Sequence, residues 1–72
     1  MKKKFRIENL GCAHCAAKME SAIKKIDGVT DASINFIMQK LTIEADESSF
    51  DNAVNEAAKI CSKIEPDCIL VI

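Results

Sequence analysis

Residues 3–28, KKFRIENLGCAHCAAKMESAIKKIDG, decide the fold, because within them an alternating segment passes into a helical one through two cysteines. Phe5 and Ile7 alternate with charged residues, which is typical of a strand with one buried face. Further along, apolar residues recur every three or four positions, which is the period of an amphipathic helix. Cys12 and Cys15 therefore lie where a strand ends and a helix begins.

Similar patterns continue to the end of the chain. The predicted strands are 3–9, 29–36, 40–45 and 68–72, and the predicted helices are 14–26 and 48–63. Gly28 is expected to end the first helix in a left-handed cap. Ser48 or Ser49 is expected to cap the second helix, and Pro66 prevents that helix from continuing.

The element order β-α-β-β-α-β predicts an α+β fold of the ferredoxin-like sandwich type. With right-handed crossovers, this order gives a four-stranded antiparallel sheet with both helices on one face. Residues 1–72 are expected to form a single domain, because a chain this short holds only one small core. The buried stripe of the second helix is predicted to contain Phe50, Val54, Ala57 and Cys61, with Ile64 as a further candidate.

Composition excludes several classes of function. The net charge is −1, with 10 basic and 11 acidic residues, so the chain lacks the excess of positive charge that is typical of nucleic-acid-binding domains. Its longest strongly apolar run, 68–72, falls far short of the roughly 20 residues of a membrane span. No apolar segment of a signal peptide follows the lysines at 2–4. We therefore expect a soluble, cytoplasmic binding module that has no membrane insertion in this segment and is not itself an enzyme.

The C-x-x-C pair carries the chemistry. Thiolates at this spacing bind a soft metal ion or exchange electrons as a dithiol and disulfide. The helix start supplies unpaired N–H groups and partial positive charge, which favour thiolates at Cys12 and Cys15. Gly11 is expected to give the loop the backbone freedom that lets both sulfurs converge, with Leu10 packed beneath it. A thiol-disulfide oxidoreductase remains an alternative, although Ala-His between the cysteines and the missing aromatics disfavour it.

Two segments resemble a known family. Residues 9–20, NLGCAHCAAKME, are similar to the G-M-x-C-x-x-C-A-x-x-[IV]-E loop of heavy-metal-associated domains, and residues 27–36, DGVTDASINF, to their G-V-x-x-A-x-V-N segment. The resemblance covers the whole chain. It implies one soft metal ion held by Cys12 and Cys15 and passed on by ligand exchange. It further implies a monomeric metallochaperone or the cytosolic N-terminal module of a P-type ATPase, with a transport ATPase or metallochaperone as partner.

The resemblance also bears on the metal. Copper members usually have Met at the position of Leu10, and here the loop before the last strand, residues 64–67, is acidic like that of zinc, cadmium and lead pumps. A divalent ion is neutralised by two thiolates and seeks further ligands, since zinc prefers four. We therefore expect Zn(II), Cd(II) or Pb(II) rather than Cu(I), in a module of an exporting ATPase of an inner or plasma membrane. A Cu(I) metallochaperone or copper-ATPase domain is the alternative.

Many zinc-type members have Asp at the position of Gly11, and that Asp supplies a carboxylate ligand. In this chain a third ligand must therefore come from elsewhere. The candidate auxiliary ligands are Asp67, Cys68, Glu65 and His14, and a partner or water is the other possible source. His14 lies between the two cysteines and is either an exposed bystander or a ligand used during transfer. Cys68 is either a core thiol or an auxiliary ligand, whereas Cys61 is expected in the core.

Overall fold

The computed structural model describes residues 1–72. Its strands are β1 (Lys2–Glu8), β2 (Val29–Asn35), β3 (Lys40–Ala45) and β4 (Ile69–Val71), and its helices are α1 (Ala13–Lys24) and α2 (Phe50–Ile64). A short 3-10 turn, Glu47–Ser49, precedes α2. The β-α-β-β-α-β order predicted from the sequence is confirmed, with element ends shifted by one or two residues.

The four strands form one sheet in the order β2-β3-β1-β4, and every neighbouring pair is antiparallel. Both helices cover the same face, since α1 packs on β2, α2 packs on β3 and β4, and the helices contact each other. The predicted ferredoxin-like sandwich is therefore confirmed. Neither helix combines the length and the apolar character that a bilayer crossing would require.

The strand register determines which loops meet. Arg6 pairs with Lys40, and Glu8 pairs with Ile69. The end of β1, the β2–β3 turn and the start of β4 therefore lie at one end of the sheet. The segment of residues 9–15, which we call the cysteine loop, leaves β1 at this end and leads into α1. It is consequently flanked by the β2–β3 turn on one side and by the α2–β4 loop on the other.

The core lies between the sheet and the helices and contains only apolar residues and two cysteines. Its buried members are Ile7, Leu10, Ala16, Met19, Ile23, Ala32, Leu41, Ile43, Ala45, Phe50, Ala53, Val54, Ala57, Cys61, Cys68 and Leu70. The predicted stripe of α2 is confirmed at Phe50, Val54, Ala57 and Cys61, with Ala53 as an additional buried position and Ile64 half-buried. No polar or charged side chain is buried as a whole, so the scaffold is held mainly by apolar burial.

The helix ends differ from their prediction. Helix α1 ends at Lys24, so Gly28, with φ of 89°, serves the turn into β2 rather than the helix terminus. Ser49 occupies the N-cap of α2, but its side chain makes no capping hydrogen bond. The 3-10 turn leads directly into α2, and the Phe50 N–H donates to the carbonyl of Glu47. The predicted serine cap is therefore correct in position but lacks its side-chain bond.

Candidate metal centre

The two cysteines of the motif meet at the first turn of α1. Cys12 is the N-cap residue, and its Sγ accepts a hydrogen bond of 3.3 Å from the N–H of Cys15. Its carbonyl accepts the first helical bond, 3.0 Å, from the N–H of Ala16. Both cysteines are half-buried, so their sulfurs remain accessible. A sulfur thus takes the capping role that Ser or Asp commonly fills, at the positive end of the helix dipole.

The helix start gives the two thiols different pKa values. The pKa of Cys12 is lowered, chiefly because the backbone N–H of Cys15 donates to its sulfur, and the N–H of His14 adds to this effect. The pKa of Cys15 is raised, chiefly because its thiol donates a hydrogen bond to Cys12, with partial burial adding to the rise. Lys18 opposes that rise by its positive charge. Cys12 is therefore the first of the pair to become a thiolate, the form that binds metals.

Glu65 brings a negative charge to the same place. It is the C-cap residue of α2, and its charge makes a smaller contribution that opposes the lowering of the Cys12 pKa and adds to the rise at Cys15 and Cys68. Its Oε2 atom is buried and has no hydrogen-bond partner. An unpaired buried carboxylate oxygen is costly, so such an atom calls for an explanation. A cation held by the neighbouring sulfurs would supply the missing partner.

The other candidate ligands are placed differently. Asp67 and His14 are exposed, whereas Cys68 is fully buried on the same side of its segment as Leu70. No group of three or more His, Cys, Asp and Glu side chains is placed to hold a metal ion. The structure thus brings Cys12 and Cys15 together with Glu65 nearby, and it directs Cys68 toward the core.

Cys61 and Cys68 form a second pair of thiols inside the core. Both are fully buried, and they lie close enough for each thiol to influence the pKa of the other. Burial raises the pKa of Cys61 to about 12, and it also raises the pKa of Cys68. These thiols therefore remain protonated near neutral pH, and the expectation that Cys61 is a core residue is confirmed.

The expectation for Gly11 is wrong. Gly28 is the glycine with positive φ, and in the cysteine loop the left-handed residue is Asn9, with φ of 63°. A Cβ atom added to Gly11 would meet nothing within 4 Å. Asn adopts the left-handed region more readily than most residues, so an Asn at the end of the predicted strand could have identified Asn9 as the left-handed position. Leu10, by contrast, is only 4% exposed, as expected of an apolar anchor beneath the loop.

Two polar side chains that were not predicted from the sequence tie this loop to its neighbours, Gln39 from outside the loop and Asn9 from within it. The side-chain amide of Gln39 bonds both the N–H and the carbonyl of Leu10, at 3.1 and 2.7 Å. Asn9 Nδ2 donates to the carbonyl of Asp67 at 3.1 Å. Nothing in the sequence around Gln39 marks it, since its partner lies 29 positions away.

Comparison with known proteins agrees with this geometry. The model of the family described as "Heavy-metal-associated domain" matches residues 4–66. The chain is 30% identical over 66 residues to a cadmium, zinc and cobalt-transporting ATPase of Bacillus subtilis (strain 168), covering 92% of this chain and only 9% of that protein. It is 31% identical over 64 residues to the copper chaperone CopZ of Enterococcus hirae, covering 89% of this chain and 86% of that protein.

A solved structure of a CopZ metallochaperone superimposes on the chain with a TM-score of 0.76 and 29% identity, covering 99% of this chain and all of the other. Relatives named for cadmium and zinc thus occur beside relatives named for copper. Similarity alone consequently does not separate the metals.

Proposed function

Since the chain belongs to the heavy-metal-associated domain family, we propose that it binds one soft metal ion between Cys12 and Cys15 and passes it on by ligand exchange. The first bond forms at Cys12, whose pKa is lowered by the helix N–H groups. Cys15 follows once the metal displaces its proton. Because both sulfurs are half-exposed, thiolates of a partner can attack the ion from the open side.

We further propose that the cargo is Zn(II), Cd(II) or Pb(II) in preference to Cu(I), with Glu65 as the third ligand. The observation that carries this choice is the buried Oε2 atom, which lacks a partner beside the two sulfurs. Two thiolates and one carboxylate leave one negative charge around a divalent ion and two around Cu(I). The positive charge of Lys18 offsets one negative charge, so the site becomes neutral with a divalent ion but keeps one negative charge with Cu(I). Zinc also favours the larger number of ligands.

The remaining candidates take lesser roles in this proposal. Asp67 and His14 lie at the surface, where they meet an ion only while a partner or water occupies the fourth position. Cys68 stays protonated beside Cys61 and serves the core. Because the three groups are not placed as a ready-made ligand set in the metal-free chain, the carboxylate of Glu65 closes onto an ion that the two sulfurs already hold.

The wider context follows from the same proposal. We place the chain as a cytosolic metal-binding module of an exporting P-type ATPase, where it exchanges its ion with the transport site or a metallochaperone. A Cu(I) metallochaperone is the second candidate function, because the copper chaperone CopZ is 31% identical to this chain and the cadmium, zinc and cobalt ATPase is 30% identical. Either way the chain binds metal as a monomer and carries no catalysis of its own.

Metal competition tests the proposal. The reduced protein is titrated with Zn(II), Cd(II), Pb(II) and Cu(I) against calibrated chelators, and the bound ions are examined by X-ray absorption. We expect one ion per chain with two sulfur ligands, and loss of tight binding in Cys12→Ser and Cys15→Ser. Uptake that survives either substitution, or no uptake of any soft ion, would refute the proposed function.

The metal preference has its own test. Glu65→Gln keeps the shape of the side chain and removes its charge, and Asp67→Asn serves as the matched control on the same loop. We expect Glu65→Gln to weaken Zn(II) and Cd(II) by about ten-fold or more, with a smaller effect on Cu(I). If Glu65→Gln and Asp67→Asn change the Zn(II) and Cu(I) affinities equally, the preference for divalent ions is wrong while the two-sulfur site stands.

A further inference from the structure

We infer that Gln39 and Asn9 are positioning residues that hold the cysteine loop in its metal-binding shape before an ion arrives. Neither side chain belongs to the donor set. Each acts through main-chain groups, Gln39 from the β2–β3 turn and Asn9 toward the α2–β4 loop. The inference deepens the proposed function and rests on it for its consequences in metal binding.

Gln39 is bonded to the cysteine loop and to its own turn at once. Its Oε1 accepts from the N–H of Leu10 at 3.1 Å, and its Nε2 donates to the carbonyls of Leu10 and Phe36 at 2.7 and 2.9 Å. Its main-chain carbonyl also accepts from the N–H of Ile7 at 2.8 Å. This single residue thus joins the β2–β3 turn to the end of β1 and to the residue two positions before Cys12.

The chemistry of the amide explains why glutamine suits this position. The group faces one N–H and two carbonyls, so it has to accept once and donate twice. A carboxylate would keep only the bond to the N–H of Leu10 and would face two carbonyl oxygens, and an aliphatic side chain would lose all three bonds. Gln39 holds φ of 55°, a left-handed conformation that its side-chain bonds help to maintain.

Leu10 transmits this restraint to the cysteines. Its side chain is only 4% exposed, so it is anchored in the core, while its polar main chain lies in a segment that pairs with no strand or helix. The amide of Gln39 supplies the hydrogen bonds that regular structure would otherwise provide. Cys12 then enters α1 with fixed backbone angles, φ of −133° and ψ of 115°. A loop ordered in advance loses less entropy when it binds.

Asn9 connects the other half of the site. Its Nδ2 donates to the carbonyl of Asp67 at 3.1 Å. Asp67 follows Glu65 on the α2–β4 loop, and the carbonyl of Glu65 in turn accepts from the N–H of Cys68 at 2.9 Å. Asn9 therefore ties the carboxylate-bearing loop to the sulfur-bearing loop. Since Cu(I) needs only the sulfurs, loss of this tie should affect divalent ions more strongly.

Three variants test the two amides. Gln39→Leu removes the hydrogen bonds at similar size, Gln39→Glu restores the acceptor alone, and Asn9→Gly keeps the left-handed backbone while removing the amide. Thr30→Val is the control, because it removes a side-chain bond to the carbonyl of Glu44, 3.1 Å, at the opposite end of the sheet. Affinities for Zn(II) and Cu(I) are measured by chelator competition, and amide hydrogen exchange is measured on the reduced, metal-free protein.

We expect Gln39→Leu to weaken both ions by about ten-fold and Gln39→Glu to fall between it and wild type. Asn9→Gly should weaken Zn(II) at least about three-fold more than Cu(I), while Thr30→Val changes neither. In the metal-free protein, exchange of the Leu10 amide should rise at least about ten-fold in Gln39→Leu, with core amides unchanged after correction for global stability.

Wild-type affinities in Gln39→Leu, or losses that Thr30→Val reproduces, would overturn the inference for Gln39. Equal weakening of Zn(II) and Cu(I) by Asn9→Gly would overturn the role of Asn9. If Gln39→Leu does not fold, Gln39→Glu decides by the same comparison. Should the wild-type protein bind no ion, the proposed function fails, whereas exchange at Leu10 still tests the restraint, and an unprotected wild-type amide would refute it.

Discussion

Gly28→Ala should destabilise the scaffold without affecting the metal site. Gly28 has φ of 89°, and a Cβ atom there would lie 2.7 Å from Cβ of Ser49. The backbone conformation costs about 1–2 kcal/mol in an L-residue. The overlap adds about 1–3 kcal/mol, because Cβ of Ser49 cannot rotate away as a flexible side-chain end could. The turn itself is tied in place, since the carbonyl of Gly28 accepts from the N–H of Asp46 at 3.1 Å.

The sum, about 2–5 kcal/mol, corresponds to a fall in Tm of about 10 °C or more for a domain of this size. Thermal unfolding of the reduced, metal-free protein followed by circular dichroism measures it. In the double variant Gly28→Ala/Ser49→Gly the steric part should be recovered and the backbone part should remain. Metal affinity of the folded protein should be unchanged at low temperature, because Val29 pairs with Ala45 at the end of the sheet opposite the cysteine loop.

The other glycine provides the matched control. Gly11 is not left-handed and has open space around it, so Gly11→Ala should be neutral or stabilising by about 0.4–1 kcal/mol. A loss below about 1 kcal/mol in Gly28→Ala would contradict the reasoning. So would equal Tm values for the two alanine variants, or a double variant no more stable than Gly28→Ala alone.

Three further predictions concern the cysteines and their loop. Limiting iodoacetamide should modify Cys12 before Cys15, because the pKa of Cys12 is lowered and that of Cys15 is raised. As pH increases, the reaction rate at Cys12 should therefore begin to increase at a lower pH than the rate at Cys15. Peptide mapping that finds Cys15 modified first would refute this order. Cys61 has its pKa raised from 9.0 to about 12 in the folded protein. The unfolded chain therefore loses this proton first, and the free energy of unfolding should fall by up to about 1.4 kcal/mol per pH unit as the pH rises from 9.0 to about 12. Denaturant unfolding at several pH values should show a smaller slope in Cys61→Ala. Gly11→Asp should strengthen Cd(II) binding about ten-fold relative to Gly11→Asn, because the open space admits a carboxylate beside Cys12; equal affinities of the two variants in chelator competition would exclude a charge effect.

The sequence alone determined the order of the elements and the place of the two thiols. These features are local: alternation of Phe5 and Ile7 marks a half-buried strand, and three-to-four spacing through Met19 and Ile23 marks an amphipathic helix. The position of Cys12 and Cys15 at a helix start follows from the same periodicity. Local patterns are readable in this way because each depends on neighbours a few residues apart.

The tertiary structure decided which groups surround those thiols. Asn9 and Asp67 are 58 positions apart, and Leu10 and Gln39 are 29 apart, so no local pattern could pair them. Their meeting depends on the strand register, which brings three loops to one end of the sheet. Periodicity also left the role of Cys68 undecided, because alternation shows which residues share a face of the strand and not which face of the sheet the helices cover.

Glu65 shows the same limit most clearly. Its acidic character was visible in the sequence, but Asp67, Cys68 and His14 were candidate ligands there as well. Only the packed chain buries one oxygen of Glu65 beside the two cysteines of the motif while leaving Asp67 and His14 at the surface. The physical reason is that burial and Coulomb interactions depend on distance through space, which a sequence fixes only after the sheet and helices have packed.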